Sequence, residues 1–124
     1  MRQSPVIMLS TVTVLSSCAY QQVSYKEDVS PIISMNCSEC HTAPNGDGYQ
    51  KTGLEMHTYD ALMRGTIYGP VIIAGDSQRS ILNKLLEGRA GNLQNILHEN
   101  DQKNITEKDV KTIRDWVDDG ALNN

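Results

Sequence analysis

Cys37-Ser38-Glu39-Cys40-His41 is the stretch on which the reading of this chain turns. Two cysteines three residues apart can serve four chemistries, and the surrounding residues separate them. A redox-active pair wants a strand before it and a helix after it, as in thioredoxin-like folds; here a helical pattern precedes the motif. A zinc site wants a fourth ligand, and the chain has no second cysteine pair to supply one. A short-range disulfide would leave His41 without a role. Covalent attachment of a c-type haem uses all three residues: each thiol reaches one vinyl group of the same porphyrin, and the adjacent imidazole falls beneath the ring, where it can ligate iron. The motif therefore predicts one covalent haem c held by Cys37 and Cys40, with His41 on the iron.

Outward from the motif, the pattern is one of short helices joined by long loops. Ser24-Tyr25-Lys26-Glu27 has the spacing of a capping box, and Asp28 is a second cap candidate. Pro31 is tolerated only in a first turn, so the spacing predicts a helix from about Asp28 to Asn36, with Val29, Ile32, Ile33 and Met35 as its apolar residues. Ala43-Pro44-Asn45-Gly46-Asp47-Gly48 reads as a turn-rich loop. Thr58 caps a predicted helix over Tyr59–Arg64 that ends at Gly65. Asp76 caps another from Ser77 to about Glu87, with Ile81, Leu82, Leu85 and Leu86 on its apolar side. Thr106-Glu107-Lys108-Asp109 opens the last helix as a capping-box variant with Asp in the fourth position. There Val110, Ile113, Trp116 and Val117 recur at helical spacing, and Gly120 stops the run. No stretch alternates as a strand does, so the fold class is all-α.

With 124 residues the chain suits one domain. Its net charge of −4 argues against nucleic acid as a partner, which requires a basic face. There is no Phe, one Trp and five Tyr. A flat apolar porphyrin lined by Leu, Ile and Val could stand in for the aromatic core that this composition withholds.

The first segment reads as an address. Residues 5–15 are apolar behind Arg2, too short to span a bilayer, which takes about 20 residues, but suited to a secretory signal. Leu15-Ser16-Ser17-Cys18 follows directly and resembles the bacterial lipobox, whose cysteine is acylated and becomes the new N-terminus. The resemblance implies a signal over residues 1–17, a lipid on Cys18, a short tether to residue 24 and a domain over 25–124. It also implies a place in the bacterial cell envelope, facing the periplasm, with lipid as the membrane anchor. Ala19 stands where an inner-membrane retention Asp is found in some bacteria, which points to the outer membrane.

Tyr25-x-x-Asp28-Val29-x-Pro31-Ile32-Ile33 leading into Cys37…His41 resembles small class I-type cytochrome c domains, above all the planctomycete-type branch. Gly53-Leu54-Glu55-Met56, Leu62-Met63-Arg64-Gly65, Ile73-Ala74-Gly75-Asp76-x-x-x-Ser80-x-Leu82 and Trp116-Val117-Asp118-Asp119-Gly120-Ala121 share the likeness. The resemblance implies a cytochrome c fold whose first and last helices cross beside the haem, with Ile32 or Ile33 meeting Trp116 or Val117. It implies that a loop carbonyl such as that of Pro44 holds the second ring nitrogen of His41. Arg64, Tyr68 and Arg89 are available for the haem propionates. Asp115, Asp118 and Asp119 read either as a solvated face or as an acidic patch that steers a basic partner.

The chain departs from the family at the sixth iron ligand. The family carries a Met-Pro pair before the last helix; here no Met-Pro exists, and an ungapped count back from Thr106 places His98 in that slot. This implies bis-histidine ligation by His41 and His98, in competition with Met63, Met56, His57 or an open iron beneath Leu97. The function implied is a single-electron carrier working between redox protein partners, and not an enzyme. The alternative is a haem-based sensor or small-ligand binder with an open or displaceable sixth position. A peroxidase-like reading needs distal acid–base groups that the sequence does not offer beyond His98.

Overall fold

The computed structural model describes residues 20–92 and 104–124. Cys18, Leu97 and His98 lie outside them. Among the described residues the fold is all-α, as the sequence implies, with one isolated bridge between Thr66 and Gly69 in place of any strand. A π-helical turn, Tyr25–Val29, runs into α1 (Ser30–Asn36); α2 is Asp47–Thr52, α3 Tyr59–Arg64, α4 Ile81–Leu86 and α5 Glu107–Asp118. No helix among the described residues is long and apolar enough to cross a membrane.

The first helix begins three residues earlier than expected. Ser24 accepts from the Glu27 N–H (3.2 Å), yet the carboxylate that answers to the Ser24 N–H is Asp28 (2.8 Å), not Glu27. The turn is one residue wider than an α-helical turn, with the N–H of Val29 reaching the Ser24 carbonyl. Pro31 gives the reason, since it brings no N–H and its ring presses on the carbonyl four residues back. The wide turn takes up that misfit, and Pro31 then stands in the first turn of α1, where it is tolerated.

The last helix and α3 follow the sequence closely. Thr106 Oγ1 accepts from the Asp109 N–H (3.2 Å), and Asp109 accepts from the Thr106 N–H (2.9 Å), a complete capping box. Thr58 caps Tyr59–Arg64, and Gly65 (φ 78°) ends it. The helix expected from Ser77 forms only from Ile81. Ser77 is instead bound through its N–H and Oγ to Asp118, both at 2.9 Å, and Asp76 closes a turn onto Arg79. These bonds hold residues 77–79 off the helical path.

The core sits where the two ends of the chain meet. Tyr25, Val29, Ile33, Ile113, Trp116, Val117 and Ala121 are buried in one cluster. The crossing with α5 is made chiefly by the π-helical turn: the Tyr25 and Trp116 rings lie 5.3 Å apart, and Tyr59 meets Tyr25 edge-on at 5.1 Å. Ile33 belongs to the same cluster, and Ile32 packs on it half-buried. An aromatic core therefore exists, built from the one Trp and two of the five Tyr, and the haem does not have to replace it. After α5 the chain curls back: Trp116 Nε1 donates to the Leu122 carbonyl (2.9 Å), and the Tyr59 hydroxyl donates to that of Ala121 (2.8 Å).

The described part of the run expected as a tether, from Tyr20 on, is bonded to residues at the end of α5 and beyond. The Tyr20 hydroxyl donates to Asp119 (2.6 Å), and Asn124 takes bonds from the Ser24 hydroxyl, the Tyr25 N–H and the Lys26 N–H. Nor is the C-terminal acidic cluster a free patch. Asp115 pairs with Lys111, Asp118 with Ser77 and Asp119 with Tyr20. Across the molecule, Glu87 at the end of α4 binds Arg114 of α5 (2.7 Å) as well as Arg89.

This packing sets the cost of three substitutions. Trp116→Ala should cost about 3–5 kcal/mol in denaturant unfolding of the haem-loaded protein, the range for a truncated core aromatic. The Asp109 carboxyl is held below its ordinary range, first by the Thr106 N–H and then by the Thr106 hydroxyl. A depressed carboxyl stabilises the fold above its unfolded pKa of about 3.9, and that contribution is lost as pH falls through the lower folded value. The melting-temperature gap between the parent and Asp109→Asn should therefore narrow as the solution is acidified below about pH 4, while Thr106→Ala should cost about 1 kcal/mol at neutral pH.

Candidate functional site

Cys37 closes α1, its N–H bonded to the Ile33 carbonyl (2.8 Å), and the chain then turns so that the His41 N–H meets the Cys37 carbonyl (3.0 Å). Ser38, buried in this turn, points its hydroxyl at the carbonyls of Ile33 and Met56. The motif is thus fastened to α1 on one side and to residues 54–56 on the other.

His41 is clamped by that second attachment. Its carbonyl accepts from the Met56 N–H (2.9 Å), and its ring Nδ1–H donates to the Leu54 carbonyl (3.2 Å). A carbonyl can only accept, so Nδ1 carries the proton; in the neutral ring Nε2 then holds the lone pair, the arrangement required of a metal-ligating imidazole. The acceptor is Leu54, not the Pro44 expected from the resemblance. Pro44 lies in the loop before α2, where its carbonyl receives the Gln50 side chain (3.4 Å).

The loop read over residues 43–48 is shorter than predicted, because Asp47 and Gly48 already belong to α2. This helix docks directly on the motif, with the Tyr49 N–H on the Cys40 carbonyl (3.0 Å). The approach requires small residues. A methyl group on Gly48 would stand 2.7 Å from His41 Cε1 and 2.8 Å from Nε2, and one on Gly46 would stand 2.3 Å from the Cys40 carbonyl oxygen. Gly48 is therefore the floor against which the imidazole lies flat.

Cys37, Cys40 and His41 open onto one cavity of about 250 Å³. Its other walls are largely apolar: Leu54 and Met56, Val71, Ile105, and the face of α4 formed by Ile81, Leu82, Leu85 and Leu86. The α4 residues are those the sequence placed on its apolar side. They serve the cavity as much as the core. Among the described residues, Asp and Lys reach the wall from α2, where Asp47 and Lys51 stand one turn apart. Among the described residues Lys51 is the one lysine or arginine on the wall. Arg64, Tyr68 and Arg89, expected as propionate donors, are elsewhere: Arg64 faces Glu55 (3.6 Å), Tyr68 is exposed, and Arg89 is paired with Glu87. The signal for Lys51 was present in Asp47-x-x-x-Lys51, a helical i, i+4 spacing framed by Gly46 and Gly53.

The other iron-ligand candidates separate cleanly. Met56 is buried on the cavity wall, next to His41 and bonded to it through the backbone. Met63 packs half-buried on the core, and His57 is exposed with its Nδ1 3.2 Å from the Thr42 hydroxyl. His98 lies outside the described residues.

The cysteines bear on the competing chemistries. Both thiols are free, and burial, with Cys40 beside it, pushes the Cys37 thiol up to about 11. A redox-active pair needs the opposite, a thiol depressed toward neutrality. Nor do the side chains converge on a point: among the described residues no three His, Cys, Asp or Glu could together hold a metal ion.

Two thiols and a correctly tautomerised imidazole, set along one edge of an apolar cavity in a small helical domain, define a c-type haem domain. The chain carries a cytochrome c domain of the planctomycete type: residues 37–93 match the family described as planctomycete cytochrome C, starting at the first cysteine of the motif. No curated protein and no solved structure matches the chain. A covalently bound c-type haem is its cofactor, and haem-based electron carriage is the type of function the family brings.

Gly48→Ala tests the floor beneath the imidazole. The added methyl group should tilt or displace the His41 ring, and the haem-loaded protein should lose intensity in its low-spin visible spectrum or bind exogenous imidazole. Gly88→Ala, where no atom lies within 4 Å of the added carbon, is the control for a glycine of positive φ away from the site.

Proposed function

We propose that this protein is a lipid-anchored, single-haem electron carrier of the bacterial cell envelope, ligated by His41 and His98, and that it makes and breaks no substrate bonds. The observation that carries the reading is the His41 Nδ1–H bond to Leu54, on a wall shared with both thiols. Haem, when bound, supplies the ferrous–ferric couple. The chain's own residues hold and tune it. Cys37 and Cys40 would each add S–H across one vinyl group to give two thioethers. His41 would donate its Nε2 lone pair to the iron, with Leu54 fixing its tautomer and Gly48 its tilt. The apolar face of α4 would keep water from the ring.

His98 is our reading of the sixth ligand from the sequence count back from Thr106, and the places of its competitors support it. Leu54 and Met56 are both hydrogen-bonded to His41, which puts them on its side of the cavity. Met63 is not on the wall, and His57 is held outside it by Thr42. Among the described residues, no thioether or imidazole besides His41 and Met56 lines the cavity. Cys18 would bear the lipid, and electrons would pass between protein partners in the periplasm.

Lys51 would supply the cation for a haem carboxylate on this wall, where Asp47 already adds a negative charge.

Two potentiometric results are expected. Neutral imidazole favours ferric iron more than a thioether does, and axial ligands shift haem potentials over a range of about 0.8 V. His98→Met should therefore raise the potential and His98→Ala should abolish the low-spin bis-imidazole EPR signal. An unaltered spectrum and potential in both variants would remove His98 from the iron. Lys51→Gln should lower the potential by a smaller amount, because a nearby cation favours the less positive ferrous state; Arg64→Gln, away from the wall, should leave it unchanged.

A further inference from the structure

The two ends of the described chain are bound to one another. Asn124 takes bonds from Ser24, Tyr25 and Lys26 and gives one to the Val23 carbonyl (3.3 Å). Ahead of this clasp, the Tyr20 hydroxyl is fixed on Asp119 at the end of α5 (2.6 Å). In sequence, Tyr20 stands two residues after Cys18, and two residues reach at most about 7 Å. Among the exposed polar residues at this strap stand two exposed apolar side chains, Tyr20 (72%) and Leu122 (46%). A tyrosine with an exposed ring and a satisfied hydroxyl suits the boundary between water and lipid.

We propose that the domain rests directly on the bilayer through the face bearing Tyr20 and Leu122, with no flexible leash between lipid and fold. The inference rests on the reading of Cys18 as the lipidated residue. Lipid at Cys18 brings the interface within about 7 Å of a residue already fastened to α5. The domain cannot then drift away from the membrane without breaking the Tyr20–Asp119 bond. Cys37 lies at the far end of the first helix from the clasp. The run from Tyr25 to Asn36 is roughly 17 Å at 1.5 Å per residue. The haem-attaching Cys37 and the exposed Met35 are therefore carried at the end away from the strap. Seating of this kind would present the haem to a partner at a set height, instead of sweeping it through a volume.

The test uses the full chain, matured with its haem and added to the outside of preformed phosphatidylcholine vesicles. Leu122→Cys and Met35→Cys each add one thiol beyond those consumed by haem and lipid. Their reaction with a bulky, membrane-impermeant maleimide is timed on the vesicles. The seated arrangement gives a Leu122→Cys rate severalfold below that of Met35→Cys. Adding Tyr20→Ala, an exposed change that leaves the haem spectrum as a check on folding, should bring the two rates together. Equal rates on vesicle-bound parent protein would overturn the seating while leaving the lipid in place. Protection that survives Tyr20→Ala would overturn the role of the strap. Failure of the chain to sediment with vesicles, with no acyl mass on Cys18, would remove the lipid reading and the seat with it.

Discussion

The hydrogen bond from His41 Nδ1 to the Leu54 carbonyl is the constraint on which the rest of the site depends. It decides which nitrogen keeps its lone pair, and so which face of the imidazole can meet iron. It also ties the motif to a segment more than ten residues downstream, and that tie defines the loop within which α2 must pack. Once α2 lies over the motif, only a hydrogen atom fits between its second residue and the imidazole ring. The glycines of the segment are consequences of this geometry. Read as loop punctuation they look interchangeable; read against His41 and Cys40 they are the closest approaches in the site.

A second constraint runs through the termini. The aromatic cluster of Tyr25, Tyr59 and Trp116 is closed on one side by the chain folding back through Ala121 and Leu122. It is closed on another by Asn124, which holds the backbone of the first turn. Ring centroids at 5–6.5 Å fall in the favourable range for aromatic pairs. This cluster needs no haem to be complete. The aliphatic residues left over, chiefly on α4, are thereby released to line the cavity.

Legibility in the sequence tracked how local the cause of each feature was. The α5 capping box, the Thr58 cap and the Gly65 stop are contained within a few consecutive residues, and each formed where its residues indicated. The motif itself was equally local. The π-helical entry was not, because it balances a cap at Ser24 against a proline seven residues on, and a template of fixed period passes over such a compromise. The late start of α4 has a still more distant cause: Ser77 is claimed by Asp118, forty-one positions away. The imidazole acceptor failed for the same reason. Pro44 was near in sequence, Leu54 near in space. Lys51 was overlooked because α2 is only six residues long and bounded by glycines, a pattern that composition alone assigns to a loop.

The two constraints divide the labour of folding. Helices as short as α2, α3 and α4, six residues each, lie far below the roughly 12–15 residues at which an isolated helix becomes even marginally stable in water. Each must be held by what it packs on. Tyr59 gives α3 a place in the aromatic cluster, and Glu87 ties the end of α4 to Arg114 of α5. The cavity draws on both α2 and α4: Asp47, Gly48 and Lys51 line it from α2, and Ile81, Leu82, Leu85 and Leu86 from α4, of which Leu82 also belongs to the core. A bound porphyrin would be their common packing partner. The ends of the chain thus form a core that is complete in itself, and the middle is completed by the group that Cys37 and Cys40 fasten in place. Covalent attachment at the junction between these two parts, directly after α1, is what lets so short a chain keep a large cofactor in a domain with few long helices.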